Sequence, residues 1–233
     1  MKVAVITGGS KGIGYAVAES LLKEGYCVAI TSRTIESANE AASKLVAHGD
    51  VLAIEADVKD YQSQQEAINL VLEKWGQIDV LIANAGIGNF GSIEELSLDD
   101  WHETIDTNLT GVFYSIKASL DAIKKTKGYI ITISSLAGTN FFEGGSAYNA
   151  SKFGLTGFTQ AVMLDLRKHG IKVSTIMPGS VATYFNDHEP DENKNSWKIQ
   201  PEDLGELVVS MLKMPARTLP SKIEIRPTTP AGS

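Results

Sequence analysis

The chain has 233 residues, 43% hydrophobic and 21% charged, with a formal net charge of −7. This length and balance fit one domain with a sizeable buried core, and the acidic total argues against a surface that tracks nucleic-acid phosphates. A single cysteine, Cys27, excludes an internal disulfide, and the four scattered His residues show no metal-ligand spacing, so no metal site is expected.

In chain order, KVAVIT (2–7) predicts a first strand. The apolar run at the N-terminus is too short for a signal peptide, and no run reaches the roughly 18 apolar residues of a membrane span. A cytoplasmic protein without membrane contact is therefore expected. The strand runs into TGGSKGIG (7–14), where Gly8, Gly12 and Gly14 allow a tight turn and close approach of a diphosphate to the backbone. The N–H groups opening the next helix would face that anion. The spacing is G-x-x-x-G-x-G, and an ordinary structural turn reads the same way until the strand–turn–helix context is added. Ser10, Lys11 and Ile13 belong to the same turn and join it as cofactor-binding candidates.

CVAITS (27–32) predicts the second strand, in which Cys27 reads as a small buried hydrophobe. Where an Asp or Glu would take the ribose 2′-hydroxyl of NAD, this strand ends in Ser32 and Arg33. Arg33, with Lys11 nearby, offers cations to a 2′-phosphate, so NADP(H) is expected over NAD(H). The alternative is that both are solvated surface residues.

VLAIEAD (51–57) and VLIANAG (80–86) predict two more strands, separated by a helix over 61–75 whose Ile68, Val71, Leu72 and Trp75 form one apolar stripe. Ser97 with Asp100 marks a further helix start. YIITISS (129–135), KVSTIMPG (172–179) and KIEIRP (222–227) complete the strands, with a last helix near 201–214 and a polar segment, 186–200, read as a mobile loop. Continuously apolar strands alternating with helices imply an α/β fold: a Rossmann-like doubly wound parallel sheet of about seven strands, helices on both faces, one domain over 1–233.

SAYNASKFG (146–154) places Tyr148 and Lys152 four residues apart, on one face of a helix. A Tyr-x-x-x-Lys match alone arises by accident in roughly every second chain. Its chemical sense lies in carbonyl reduction, where a developing alkoxide needs a proton donor and a hydroxyl to hold the oxygen. An ammonium within about 4–6 Å would lower the tyrosine's ordinary pKa near 10 by roughly 1–3 units. Read singly, Asn108 is equally a helix residue bonded to backbone or water, and Ser135 a turn residue with local hydrogen bonds. No Ser, His and Asp trio supports hydrolase chemistry.

TGGSKGIG, NAG (84–86), Asn108 in DTNLTGVF, Ser135 ahead of AYNASK, and PGSVAT (178–183) stand in an order and spacing that resemble the compact short-chain dehydrogenase/reductase family over residues 2–226. The resemblance implies that Tyr148 is the general acid/base and also a cofactor contact, Lys152 its partner and a ligand of the nicotinamide ribose, Ser135 the residue that binds the substrate oxygen, and Asn108 a relay member. Ser135, thirteen residues before the tyrosine, is the family position, and Ser134 its neighbour. Asp57 and Val58 resemble the pair beside the adenine, Asn84, Ala85 and Gly86 the stretch lining the cofactor, and Pro178, Gly179, Val181 and Thr183 the nicotinamide border.

Phe90, Phe141, Phe142, Tyr184, Phe185 and Trp197 are candidates for an apolar substrate pocket, or equally for core or subunit contacts. The expected activity is an NADP(H)-dependent oxidoreductase interconverting a small carbonyl and an alcohol at an open site. The alternatives are a 3-oxoacyl-(acyl-carrier-protein) reductase, with Lys124, Lys125 and Lys127 as a carrier patch, and a non-catalytic dinucleotide-binding redox sensor. The resemblance also implies a homotetramer or homodimer through about 98–126 and 148–169.

Overall fold

The computed structural model of the chain describes residues 1–185 and 195–229. Seven strands form one parallel sheet in the order β3-β2-β1-β4-β5-β6-β7. They are β1 (Val3–Thr7), β2 (Cys27–Ser32), β3 (Val51–Glu55), β4 (Val80–Ala83), β5 (Tyr129–Ile133), β6 (Lys172–Pro178) and β7 (Lys222–Ile225). The connecting helices are α1 (Gly12–Lys23), α2 (Ile35–Leu45), α3 (Tyr61–Trp75), α4 (Leu98–Ile105), α5 (Gly111–Thr126), α6 (Ser146–Leu166) and α7 (Pro201–Lys213). The doubly wound α/β reading holds.

The apolar strands serve two cores because side chains alternate across the sheet. Val3 and Val5 of β1, Leu81 of β4 and Ile130 of β5 enter one core, packed under α3, α5 and α6. Ala4 and Ile6 of β1, Ile82 of β4 and Ile131 of β5 enter the other, under α1, α2 and α7. A strand buried on both faces has no polar alternate positions, which is why these runs read as continuously hydrophobic.

Local chemistry sets the helix starts. Thr34, Asp60 and Ser97 cap α2, α3 and α4 by accepting from the backbone N–H of Ser37, Gln62 and Asp100. The predicted apolar stripe over 61–75 coincides with α3.

Several strands are shorter than predicted. β3 stops at Glu55, β4 at Ala83, β5 at Ile133, β6 at Pro178 and β7 at Ile225. Apolar composition continues past these points, but the ladder ends, and Asp57, Asn84 and Ser135 leave the sheet at its carboxyl edge. The five-residue π turn Asp106–Thr110 between α4 and α5 was not foreseen. In the 186–200 segment predicted as a loop, 186–194 lies outside the described residues. Its end is anchored, since Ile199 donates its N–H to Ser180 O at 3.1 Å and accepts from Ala182 N–H at 2.9 Å.

Strand order reverses between β1 and β4, which are neighbours although β2 and β3 intervene in sequence. In open parallel sheets, the crevice at the carboxyl ends on either side of such a reversal is where ligands bind.

Candidate active site

At that crevice the glycine turn is shaped by close neighbours. Gly8 and Gly12 have φ of 65° and 57°, the left-handed region that glycine enters without strain. A Cβ on Gly14 would stand 2.5 Å from both Asn84 Nδ2 and Gly8 O, so this position must stay bare for the turn to close. Asn84 donates from Nδ2 to Thr7 O at 2.9 Å and to Gly8 O at 3.0 Å, while Thr7 Oγ1 accepts from the N–H groups of Asn84 and Ala85. The β1 turn and the β4 extension are thereby held as one unit. Thr7 was not singled out in the sequence, although it stands immediately before the first glycine.

The opening of α1 fits the diphosphate of a dinucleotide. Its N-cap residue, Lys11, gives no side-chain cap, unlike those of α2, α3 and α4, and its first turn carries no acid. Its N–H groups and positive dipole end are left for an anion. The turn is tied to the end of β2 where Ser10 donates to Ser32 at 3.4 Å. Arg33 extends from that end, 68% exposed, with Nη1 4.0 Å from Glu103 Oε1. Val58 is buried beneath Gly111, and Asp57 uses its carboxylate to accept the Lys59 N–H at 2.9 Å. Beyond β6, Gly179 donates to Ile225 O at 2.8 Å, and Thr183 comes to rest against Gly12. Four further candidates, Ile13, Gly86, Pro178 and Val181, lie on these same segments.

Tyr148 and Lys152 sit on the first turns of α6, 9% and 4% exposed. Lys152 Nζ lies 5.7 Å from the centre of the Tyr148 ring and donates to Ile133 O at 3.1 Å. Burial pushes the Tyr148 hydroxyl up to about 12, opposed by a hydrogen bond with Ser135. Burial also pulls Lys152 down to about 8. The sequence reading expected the ammonium to lower the tyrosine. In the chain by itself desolvation dominates both groups and favours their neutral forms.

The two serines part company. Ser135 caps the short turn Leu136–Gly138 by accepting from Ala137 N–H at 3.1 Å and lies within reach of Tyr148. Ser134 points into α6, where it bonds to Lys152 O and Thr156 Oγ1. Asn108, in the π turn, is fully buried: Oδ1 accepts from Ile87 N–H at 2.8 Å, and Nδ2 donates to Ile87 O at 2.9 Å and Ser151 Oγ at 3.0 Å. Ser151 in turn donates to Tyr148 O at 2.8 Å. These bonds tie the segment after β4 to α6 at the tyrosine's backbone. Ser151 and Asn149, the latter gripping the carbonyls of Ala137 and Asn140, are positioning residues that sequence reasoning missed.

Aromatic rings gather at the site, while the segment on which its expected openness rested lies largely outside the described residues. Phe90 and Phe185 pack on the Tyr148 ring at 5.3 and 5.8 Å between centroids, and Phe142 packs on Phe90 at 5.7 Å. Phe141 and Tyr184 are exposed and take no part in these ring contacts. Among the described residues, no helix is long and apolar enough to cross a membrane.

A family model described as short chain dehydrogenase matches residues 2–194. Trans-4-hydroxycyclohexanecarboxylate dehydrogenase of Sinomonas cyclohexanicum is 38% identical over 189 residues, 78% of this chain and 73% of that protein. The structure of an alcohol dehydrogenase from the archaeon Thermococcus sibiricus, complexed with 5-hydroxy-NADP, superposes with a TM-score of 0.92 at 33% identity, covering 98% of this chain and 97% of that one. A 3-ketoacyl-ACP reductase from Sinorhizobium meliloti 1021 superposes with a TM-score of 0.87 at 31% identity, covering 96% and 97%. With glycine turn, sheet edge and α6 arranged as in such relatives, the chain belongs to the short-chain dehydrogenase family and is an oxidoreductase of the dehydrogenase/reductase type, acting on alcohol and carbonyl groups.

Proposed function

We propose that the chain, acting as one domain, is an NADP(H)-dependent reductase that interconverts a ketone or aldehyde with its alcohol. The observation that carries this reading is the clustering of Ser135 with the buried Tyr148 and Lys152 at the same sheet edge as the uncapped α1 turn. When bound, the nicotinamide gives or takes the hydride. Tyr148 hands its proton to the oxygen as negative charge develops there, and Ser135 donates a hydrogen bond to the same oxygen. Protonated Lys152 steadies the charge left on the tyrosine, and Asn108 holds α6 in register through Ser151. The turn from Gly8 to Gly14, Asp57 to Val58, Asn84 to Gly86 and Pro178 to Thr183 would hold the dinucleotide. Turnover of NADPH with a panel of ketones, aldehydes and acyl thioesters tests the reading, and binding without turnover on every one would favour a sensor.

The choice of NADP(H) rests on Arg33, exposed at the end of a β2 that carries no acid, and on the likeness to a structure complexed with 5-hydroxy-NADP. A guanidinium–phosphate contact is charge-assisted, and removing it costs about 1.5–3 kcal/mol, which is roughly 10- to 100-fold in affinity. Arg33→Asp should lower kcat/KM for NADPH by that factor and leave NADH less affected. Equal losses for both cofactors in steady-state assays would count against it.

A 3-oxoacyl reductase is the second reading, favoured by the likeness to the Sinorhizobium meliloti enzyme. Lys124, Lys125 and Lys127 do not support it. They end α5 and precede the start of β5, so they lie at the opposite edge of the sheet, roughly 15 Å of strand away from Ser135.

A homo-oligomer is part of the proposal. Phe113 of α5 and Phe153 and Leu164 of α6 are exposed on the helices where the family resemblance places subunit contacts. Sedimentation equilibrium should return a dimer or tetramer, and Phe153→Glu should shift it toward monomer. A monomer in the unmodified chain removes this part of the proposal.

A further inference from the structure

The rings around Tyr148 come from places that no strand or helix period dictates. Phe90 belongs to the segment between β4 and α4, Phe142 to that between β5 and α6, and Phe185 to the chain after β6. Phe90 and Phe185 nevertheless meet on one tyrosine, and Phe142 packs on Phe90. Their seating is specific: a Cβ on Gly88 would stand 2.6 Å from the Phe185 ring and 2.9 Å from that of Phe90, and a Cβ on Gly145 would stand 2.7 Å from Phe142. The first two segments are also joined, Gly91 donating its N–H to Gly144 O at 2.9 Å.

These rings are not ordinary core. Phe90 and Phe142 keep 43% and 47% of their surface exposed beside a buried tyrosine and lysine. The contacts of Phe90 with Tyr148 and Phe142 are edge-to-face, at interplanar angles of 72° and 63°. Such packing leaves aromatic surface available to another ring.

The charge on the described segments that carry them is one-sided. Segments 85–97, 136–147 and 178–185 contain no Lys, Arg or His, while they carry Glu94, Glu95 and Glu143. The cation nearest to Tyr148 along α6, Lys152, is buried and directed to Ile133 O. A carboxylate entering between these walls would lose its hydration and find no positive group on them to replace it.

We propose that Phe90, Phe142 and Phe185 determine substrate choice, forming an aromatic slot, without cations on its described walls, that takes uncharged, ring-bearing ketones and turns away carboxylates. This rests on the reductase reading and names the substrate class of the same site. It separates the chain from its relative named for a cyclohexanecarboxylate: the ring is shared and the charge is not.

The test compares the full-length chain with NADPH on ethyl 4-oxocyclohexanecarboxylate, the corresponding free acid and butanone. The expected kcat/KM for the ester exceeds that for the acid by about 100-fold, reflecting the unpaired charge. Phe90→Ala should raise KM for the ester roughly 3- to 10-fold, with kcat changing less. Phe142→Lys, which puts a cation on the wall, should narrow the ester-to-acid ratio by about tenfold. If either variant fails to fold, the ratios in the unmodified chain decide. Turnover of the acid as efficiently as the ester, or of butanone as efficiently as the ester, overturns the inference and leaves the reductase reading standing. Absence of turnover on all ketones and aldehydes, with NADPH and with NADH, removes both.

Discussion

Tyr148→Phe lowers kcat/KM for carbonyl reduction by about 10²- to 10⁴-fold, the usual range for losing a positioned general acid. The ring remains, so its packing on Phe90 and Phe185 is kept, and the one polar influence opposing the desolvation of the hydroxyl comes from Ser135. The stability change should therefore stay within about 1 kcal/mol, measured as a urea midpoint, and NADPH affinity should barely move. A fall in rate with folding and cofactor binding intact assigns the loss to the proton. Ser135→Ala should lose about 10²- to 10³-fold, the scale of one donor removed from a developing oxyanion. If Tyr148→Phe reduces ketones at an undiminished rate, another group supplies the proton, and the proposed mechanism is wrong.

Lys152→Met is expected to lower turnover by about 10²-fold or more, and it carries a second signature that does not depend on substrate. The folded lysine sits near 8 against an ordinary 10.5. Below pH 8 both folded and unfolded chains hold the proton, and the fold bears the full penalty of a buried charge. Between pH 8 and about 10 the unfolded chain still holds a proton that the folded chain has released, so stability rises with pH by at most about 1.4 kcal/mol per unit. Tyr148 acts in the opposite sense above pH 10, because the folded hydroxyl, near 12, keeps a proton that the unfolded tyrosine loses. The clean window is therefore pH 8 to 10. Across it, urea unfolding should show the unmodified chain gaining stability relative to Lys152→Met, other titrations cancelling in the difference. A flat difference would mean that the lysine is solvated. The catalytic loss should be larger below pH 8, where the unmodified enzyme carries the ammonium, than above it.

The desolvation of these two groups bears on how the site works. A neutral tyrosine beside a lysine that is charged below pH 8 is already arranged to donate a proton, the direction of carbonyl reduction. Running the reaction toward the carbonyl needs the tyrosine to lose its proton first, so alcohol oxidation should be slow at neutral pH and rise with it.

Local pattern determined much of this protein. Runs such as KVAVIT and YIITISS announced strands covered on both faces, the stripe through Ile68, Val71, Leu72 and Trp75 announced α3, and Ser97 announced α4, because burial and capping act over a few neighbouring residues. The glycine turn and the i, i+4 pair were legible for the same reason, since their chemistry lies in short spacings. Tertiary structure alone decided the rest. It took the Lys124 to Lys127 patch to the far edge of the sheet and set Asn108 between Ile87 and Ser151. It ended β4 at Ala83, so that Asn84 could grip the first turn, and brought Phe90 and Phe185 from distant segments onto Tyr148, with Phe142 behind Phe90. It also reversed the expected effect on Tyr148, because desolvation depends on everything packed around a group and leaves no trace in the residues beside it.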